Sequence, residues 1–373
     1  MKLELIATAT FGLEAVVKRE IEGLGFKVIK SEDAKITYLG DERAIVKSNL
    51  RLRCADRVLI KMGEFQALEF EELFQQTKAL PWEEWIPWDG KFTVSGTSVK
   101  SKLHSVPACQ SIVKKAIVEK LKEIYGVSHF EETGAEYPVK ATILKDRVTV
   151  TIDTSGAGLH KRGYRKRDVS APIKETLAAA LVSLSFWRSG RVLLDPCCGS
   201  GTIPIEAALM GKNIAPGLLR KFISEEWHNI HESIWKEERQ KAEEEIEKNA
   251  DLKIIAADIS AGAIEAARVN AAAAGVEGCI DFRVSDIAGF KTEETRVIVV
   301  TNPPYGERVG EKKEIERIYD SLKELSERDP TWSFFVITAD KDFEKSAFGR
   351  PAERRRKLYN GRIETCYYQY HGK

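Results

Sequence analysis

The stretch VLLDPCCGSGTIPIEAALM (192–210) constrains the fold more than any other part of the chain. VLLD is a short apolar run ending in an acid, which suits a buried strand, and IPIEAALM reads as a helix. Between them, Gly199 and Gly201 permit a sharp turn and let backbone come close to a ligand at the carboxyl end of the strand. A purely structural strand-to-helix turn is the plainer alternative. A Walker phosphate loop is excluded, because no Gly-Lys-Ser/Thr follows. The alternation then continues with KIIAAD (253–258), the helical AGAIEAARVNAAAAG, DFRVSD (281–286) and RVIVVTN (296–302). Strands alternating with helices predict an α/β, doubly wound, mostly parallel sheet. Near the end, KLYNGRIETCYYQYH places Asn360-Gly361 between two strand-like runs and predicts an antiparallel hairpin.

The first half reads differently. LELIATA is a strand, and Gly12 to Leu24 is a helix carrying Leu13, Val16, Val17, Ile21 and Leu24 on one face. Further strands are expected at Lys27–Ser31, Ala44–Ser48 and Arg57–Met62, and KFTVSGTSV (91–99) alternates as a half-buried strand. Val106 to Tyr125 is an amphipathic helix, and PVKATILKD with RVTVTID forms a hairpin turning near Lys145–Asp146. This is an α+β assembly of two small pieces with a junction near residues 60–70. SGAGLHKRGYRKRD (155–168) has the composition of a basic linker. Pro172 then suits the first position of an apolar helix, KETLAAALVSLSFW. No internal repeat is present.

Composition closes off several classes. With 43% hydrophobic, 31% charged and 9% aromatic residues, the chain can build a core. No run approaches the ~18 apolar residues of a membrane span. MKLELIATAT carries Glu4 within its apolar stretch and leads into a helical pattern, so it reads as a first strand and not a signal peptide. The six cysteines form no CxxC pair, which indicates reduced thiols and a cytoplasmic protein. A net charge of +1 excludes a general polycation but not local basic patches.

Two acids stand where a nucleoside would need them. Asp258 ends the second strand, the place for a carboxylate that grips ribose hydroxyls. Asp286 ends the third, where it can accept from an adenine amine. Asp195 and Asp258 are 63 positions apart (258 minus 195), against the ~30 of a simple strand-helix-strand unit. The excess is expected to be a helical insertion at about 211–250. His228 and His231, near Glu225, lie in it, but no third ligand has metal spacing, so no metal is expected.

Asn302-Pro303-Pro304-Tyr305 follows the fourth strand and is the most specific signal in the chain. Two prolines stiffen the turn and remove local donors. The Asn302 side-chain oxygen and the Pro303 carbonyl then form a fixed pair of acceptors. An exocyclic amine has a delocalised lone pair and attacks poorly. Two acceptors holding its hydrogens favour a pyramidal nitrogen, which is orientation and electrostatic preorganisation without a strong base. Tyr305 can stack on a flipped base.

The pairing of DPCCGSG with NPPY resembles the N6/N2-type amino-methyltransferases. GLHKRGYR, KETLAAAL, DPCCGSGTIPIEAA, NIAPGL and the terminal KLYNG extend the likeness, over nearly the whole chain, to the bacterial ribosomal RNA guanine-N2 methyltransferases. The resemblance implies a ferredoxin-like piece (1–64), a THUMP RNA-binding domain (65–154), the basic linker (155–171) and a Rossmann-like class I methyltransferase domain (172–373). The last would hold a mostly parallel seven-stranded sheet with a C-terminal antiparallel hairpin. It also implies S-adenosylmethionine as cofactor and RNA as partner, ribosomal in preference to transfer RNA. Asp195, Gly199, Gly201 and Thr202 would line its methionine end, Asp258 with Ile259 its ribose, and Asp286 with Ile287 its adenine. Thr176 would reach the cofactor from the preceding helix. Asn302, Pro303 and Tyr305 would hold the target guanine, Asn302 also touching the cofactor. Two basic runs are the expected RNA contacts: Lys161, Arg162, Tyr164, Arg165, Lys166 and Arg167, then Arg354, Arg355 and Arg356. A charge run that is merely a solvated face is the alternative for each. Neither Cys197 nor Cys198 is needed as a nucleophile. A monomer is the default expectation. Adenine in DNA, a protein glutamine and a catalytically silent RNA-binding factor are the competing readings.

Overall fold

The computed structural model describes residues 2–169, 172–304 and 309–373. In the first half, β1 (Leu3–Ala9), α1 (Glu14–Gly23), β2 (Lys27–Glu32), β3 (Lys35–Gly40), α2 (Glu42–Arg51) and β4 (Ala55–Gln66) come first. They are followed by α3 (Phe70–Lys78), β5 (Val94–Val99), α4 (Val106–Tyr125), β6 (Val139–Leu144) and β7 (Arg147–Asp153). Ala44–Ser48, expected as a strand, lies inside α2. Asp41 caps that helix by accepting from the Ala44 amide at 2.8 Å, and Ala44, Ile45, Ser48 and Asn49 are buried with helical spacing. Cap and tertiary burial here outweigh the β-branched residues, whose strand preference is only a weak prior. The strand that was not anticipated, β3, pairs with β1 and β2.

All seven strands form one sheet in the order β2-β3-β1-β4-β7-β6-β5. The 12-residue β4 joins the two pieces. Its first part pairs with β1, its later part with β7, so the junction expected near residue 65 falls within a continuous strand. The hairpin between β6 and β7 turns at Lys145 and Asp146, both with positive φ.

The second half contains α5 (Glu175–Leu184), β8 (Val192–Asp195), α6 (Thr202–Gly211), α7 (Glu232–Glu244), β9 (Lys253–Asp258), α8 (Ala261–Ala273), β10 (Ile280–Val284) and β11 (Ile298–Thr301). It ends with α9 (Val309–Arg328), β12 (Ser333–Thr338), β13 (Arg354–Asn360) and β14 (Ile363–Tyr370). Pro172 lies outside α5, whose cap is Lys174. The sheet order is β10-β9-β8-β11-β12-β14-β13, parallel from β10 to β12, with β14 antiparallel to β12 and hairpin-paired with β13. Strand order reverses between β8 and β11, and the crevice outside their carboxyl ends is where open sheets of this kind take ligands.

The halves are knitted together by the segments expected to be linker and insertion. Arg162 and Tyr164 are 2% and 1% exposed. Within the insertion, α7 packs on α2, with Arg43 paired to Glu237 and Glu238 at 2.8 and 2.7 Å and Arg51 bonded to Glu245. Buried Trp227 stacks on Tyr137 at 4.7 Å and donates to the Glu136 carbonyl at 2.9 Å. His228 precedes α7 and approaches the Tyr137 hydroxyl at 3.4 Å, whereas His231 caps α7, so the two do not share a helix face. Among the described residues, no helix is long and apolar enough to cross a membrane, and no cluster of His, Cys, Asp and Glu has metal-binding geometry.

Candidate active site

A cavity of about 820 Å³ opens at the β8/β11 crossover. Its wall includes Asp195, Cys197, Gly199, Thr202, Asp258, Asn302 and Pro303, gathered from the ends of three strands. A volume of this size accommodates a nucleoside-bearing ligand.

The glycine loop is shaped by backbone necessity. Gly199 and Gly201 have φ of +53° and +81°, where side chains are disfavoured. A Cβ on Gly201 would also stand 2.9 Å from the Ala267 Cβ, so the loop is pinned against α8. Gly201 is the cap of α6, which directs the first amides of that helix toward the cavity. Asp258 ties the loop down: its Oδ2 accepts from the Gly199 amide and its Oδ1 from the Ser260 amide, both at 2.9 Å. Each carboxylate oxygen has a second lone pair for a ligand hydroxyl.

Asp195 is buried, and its Oδ1 accepts from the Thr301 hydroxyl at 2.8 Å and the Cys197 amide at 3.2 Å. Burial dominates those bonds and pushes its carboxyl up to about 7, so it changes charge near neutrality. Burial likewise raises the Cys197 and Cys198 thiols, beside two carboxylates, and keeps them protonated.

On the opposite side, Asn302, Pro303 and Pro304 leave β11 along the cavity wall. The Asn302 Oδ1 is buried and makes no hydrogen bond among the described residues. An orphaned buried acceptor carries a desolvation cost of roughly 1–3 kcal/mol, which a donor arriving in the cavity relieves. Tyr305 lies outside the described residues.

Several expected contacts are placed elsewhere. The Thr176 hydroxyl donates to Asp56 at 3.1 Å, so it faces the first half of the molecule and does not line the cavity. Asp286 caps the turn after β10, accepting from Ala288 at 3.1 Å, and is engaged by Arg317. Ile259 is exposed, and Ile287, in the turn after β10, is buried; neither belongs to the cavity wall.

The first basic run divides in two. Arg162 bonds the carbonyls of Leu159 and Arg53 and lies 3.5 Å from Glu206, which also accepts from the Tyr164 hydroxyl at 3.0 Å. Arg165 reaches Glu175 at 2.8 Å, the Ile173 carbonyl at 3.0 Å and Thr202 at 3.2 Å. The Arg162 and Tyr164 side chains are therefore inside the domain junction and cannot meet RNA, and Arg165 bolts the segment to the glycine loop. Lys161, Lys166 and Arg167 remain exposed. In the second run Arg356 donates to the Gly12 carbonyl at 2.9 Å and Arg355 pairs with Glu344 at 2.8 Å, while Arg354 is exposed.

The cavity also recruits residues that the sequence patterns do not assign to a site: Lys174, Glu314 and the hairpin tip residues Asn360, Gly361 and Ile363. Asn360-Gly361 is legible as a turn, but nothing local says the turn reaches the pocket.

Three family models match. The one described as RMKL-like methyltransferase domain covers residues 162–369, RlmL ferredoxin-like domain 4–59, and THUMP domain 67–153. A Bacillus subtilis protein, putative RNA methyltransferase YpsC, is 49% identical over 100% of this chain and 97% of its own length. Ribosomal RNA large subunit methyltransferase K/L of Syntrophotalea carbinolica is 33% identical over 97% of the chain. The chain spans about half (52%) of that relative's length. Among solved structures, a predicted N6-adenine-specific DNA methylase from Listeria monocytogenes has a TM-score of 0.95 and 50% identity, covering 100% of this chain and 97% of that one. SMU.472, a putative methyltransferase complexed with SAH, has a TM-score of 0.94 and 42% identity, with coverage of 100% and 98%.

Proposed function

The chain belongs to the RMKL-like methyltransferase family, with ferredoxin-like and THUMP domains ahead of the catalytic one. From that premise we propose that it transfers a methyl group from S-adenosylmethionine to the exocyclic N2 amine of a guanine in large-subunit ribosomal RNA. The buried, unpartnered Oδ1 of Asn302 on the wall of the crossover cavity carries this reading.

The residues fit the cofactor. The backbone of the glycine loop lines the cavity at Gly199, Asp258 offers acceptors to ribose hydroxyls, and Asp195 offers a carboxylate to the methionine ammonium. S-adenosylmethionine, when bound, supplies a methyl group on a positively charged sulfur. The protein's part is to prepare the amine. Asn302 Oδ1 accepts one amine hydrogen and the Pro303 carbonyl the other, which draws the nitrogen lone pair out of conjugation. Pro303 and Pro304 keep these acceptors from relaxing toward one another. Tyr305, next in sequence, is assigned to stacking on the extruded base. Lys161, Lys166, Arg167 and Arg354 are the exposed cations assigned to phosphates, and the relatives named for ribosomal RNA support RNA as the polymer.

An adenine N6 amine fits the same acceptors, and the Listeria neighbour is described as a DNA methylase, so adenine in DNA is the second reading. Transfer RNA is an alternative polymer for the first. The test is methyl transfer from labelled S-adenosylmethionine to separate pools of ribosomal RNA, transfer RNA, DNA and protein, with nucleosides identified by mass spectrometry. N2-methylguanosine from large-subunit ribosomal RNA is expected. Label in adenine overturns the substrate while leaving the Asn302 chemistry standing.

A further inference from the structure

We propose that Phe11, a residue of the ferredoxin-like domain, stacks on an unpaired RNA base beside the target nucleotide at the mouth of the methyltransferase cavity. The proposal rests on the reading above that the cavity receives a base from RNA.

Phe11 is 45% exposed in the turn between β1 and α1. Singly exposed apolar residues are ordinary, but this one is held in place from two sides. Gly12 turns the chain at φ +91°, and a Cβ there would stand 2.5 Å from the Lys357 carbonyl oxygen on β13. Arg356 of β13 donates to the Gly12 carbonyl at 2.9 Å. On the other side the Thr10 hydroxyl donates to Asp56 Oδ2 at 3.5 Å, and Asp56 Oδ1 accepts from Thr176 of α5 at 3.1 Å.

Both elements that grip the turn have one end at the cavity. Lys174 caps α5 and Asn360 closes β13, and both line the wall. Tyr359, one residue before Asn360, meets Phe11 edge to face at 6.0 Å. The exposed aromatic surface thus continues through Tyr359 toward the hairpin tip, where half-exposed Ile363 belongs to the wall.

Charge identifies the occupant. On the same hairpin Arg354 and Arg362 are exposed and make no ion pair among the described residues. A rigid aromatic packed on a hairpin whose tip carries the unpaired Arg362 suits a base on the ring and a backbone phosphate on that arginine, with Arg354 farther along the strand, whereas a purely apolar partner would make no use of these charges. Extruding one nucleotide from a stack also leaves its neighbours with a bare face to cover.

The test compares Phe11→Leu and Phe11→Trp with the parent protein in steady-state methylation of in-vitro-transcribed large-subunit ribosomal RNA. Titration with S-adenosylhomocysteine checks that the cofactor site is intact. Phe11→Leu should raise KM for RNA roughly 5- to 100-fold with kcat within about twofold, and Phe11→Trp should restore it. Independently of any variant, the same RNA substituted with 5-iodouridine should photocrosslink the parent protein at Phe11, mapped by mass spectrometry. An unchanged KM in Phe11→Leu, or crosslinks that avoid the 10–12 turn, overturns the role of Phe11 and leaves the proposed function intact. A parent protein that binds S-adenosylhomocysteine but methylates no RNA overturns the proposed function and this inference with it.

Discussion

At the scale of single residues, the site turns on two groups whose environments differ. Asn302 presents an acceptor that is already desolvated and unspent. Preorganised polar groups of this kind are worth about 10²–10³ in rate when removed singly. Asn302→Ala should therefore lower kcat by that factor while S-adenosylhomocysteine binding stays within about threefold; turnover near the parent's would sink the acceptor mechanism. Asp195 is the other. With its carboxyl raised to about 7, the folded protein holds a proton that the unfolded chain releases near pH 4. Its contribution to stability is therefore full below about pH 4 and is lost as pH rises to about 7. A ligand ammonium reverses that preference, because it favours the carboxylate and expels the proton on binding. Affinity for S-adenosylhomocysteine should accordingly rise from pH 5.5 to 7.5 and then level off, and Asp195→Asn should flatten the profile. Calorimetry across that range decides it, and a flat profile in the parent refutes the assignment.

At the scale of elements, the 211–250 segment is where spacing arithmetic was right and interpretation incomplete. The extra residues between β8 and β9 are legible from sequence as an insertion. Their task becomes visible only in three dimensions, because α7 meets α2 and Trp227 meets Tyr137 across 90 positions of sequence. The buried tryptophan should carry most of that docking. Trp227→Ala is expected to lose about 3–5 kcal/mol in urea denaturation. Arg43→Ala, which breaks one exposed and one half-shielded ion pair, should lose about 1 kcal/mol or less. Equal losses would mean that the ion pairs, and not aromatic packing, hold the insertion down. Elements at the ends of strong local signals were read correctly, among them β8, β9, α4 and the Lys145–Asp146 hairpin. Ala44–Ser48 has a strand-like composition that the Asp41 cap and a buried helical face overrule.

At the scale of the whole molecule, the ferredoxin-like and THUMP half and the methyltransferase half are joined through the 155–168 segment. Its basic residues fall into a buried and an exposed group that sequence cannot separate. Arg162 is buried against Glu206, so Arg162→Met strands a carboxylate and should cost about 3–5 kcal/mol of stability. Lys161, Lys166 and Arg167 are exposed. Replacing all three with serine should leave stability within about 1 kcal/mol and reduce the slope of log Kd for RNA against log salt by about 2. An unchanged slope would show that these side chains do not meet phosphate.

The sequence alone determined the parallel sheet, the glycine loop, the Asn302 turn and the family likeness, because each rests on a contiguous run whose period or rigidity is local. Tertiary structure decided which of six nearby linker residues face water, which acids reach the cavity, that the hairpin tip borders it, and that the Phe11 turn packs on that same hairpin. Those outcomes depend on which surfaces meet when distant segments pack, and neighbours in sequence then fall on opposite sides of an interface. Burial is set by the partner segment, and a run of charge carries no record of where that partner lies.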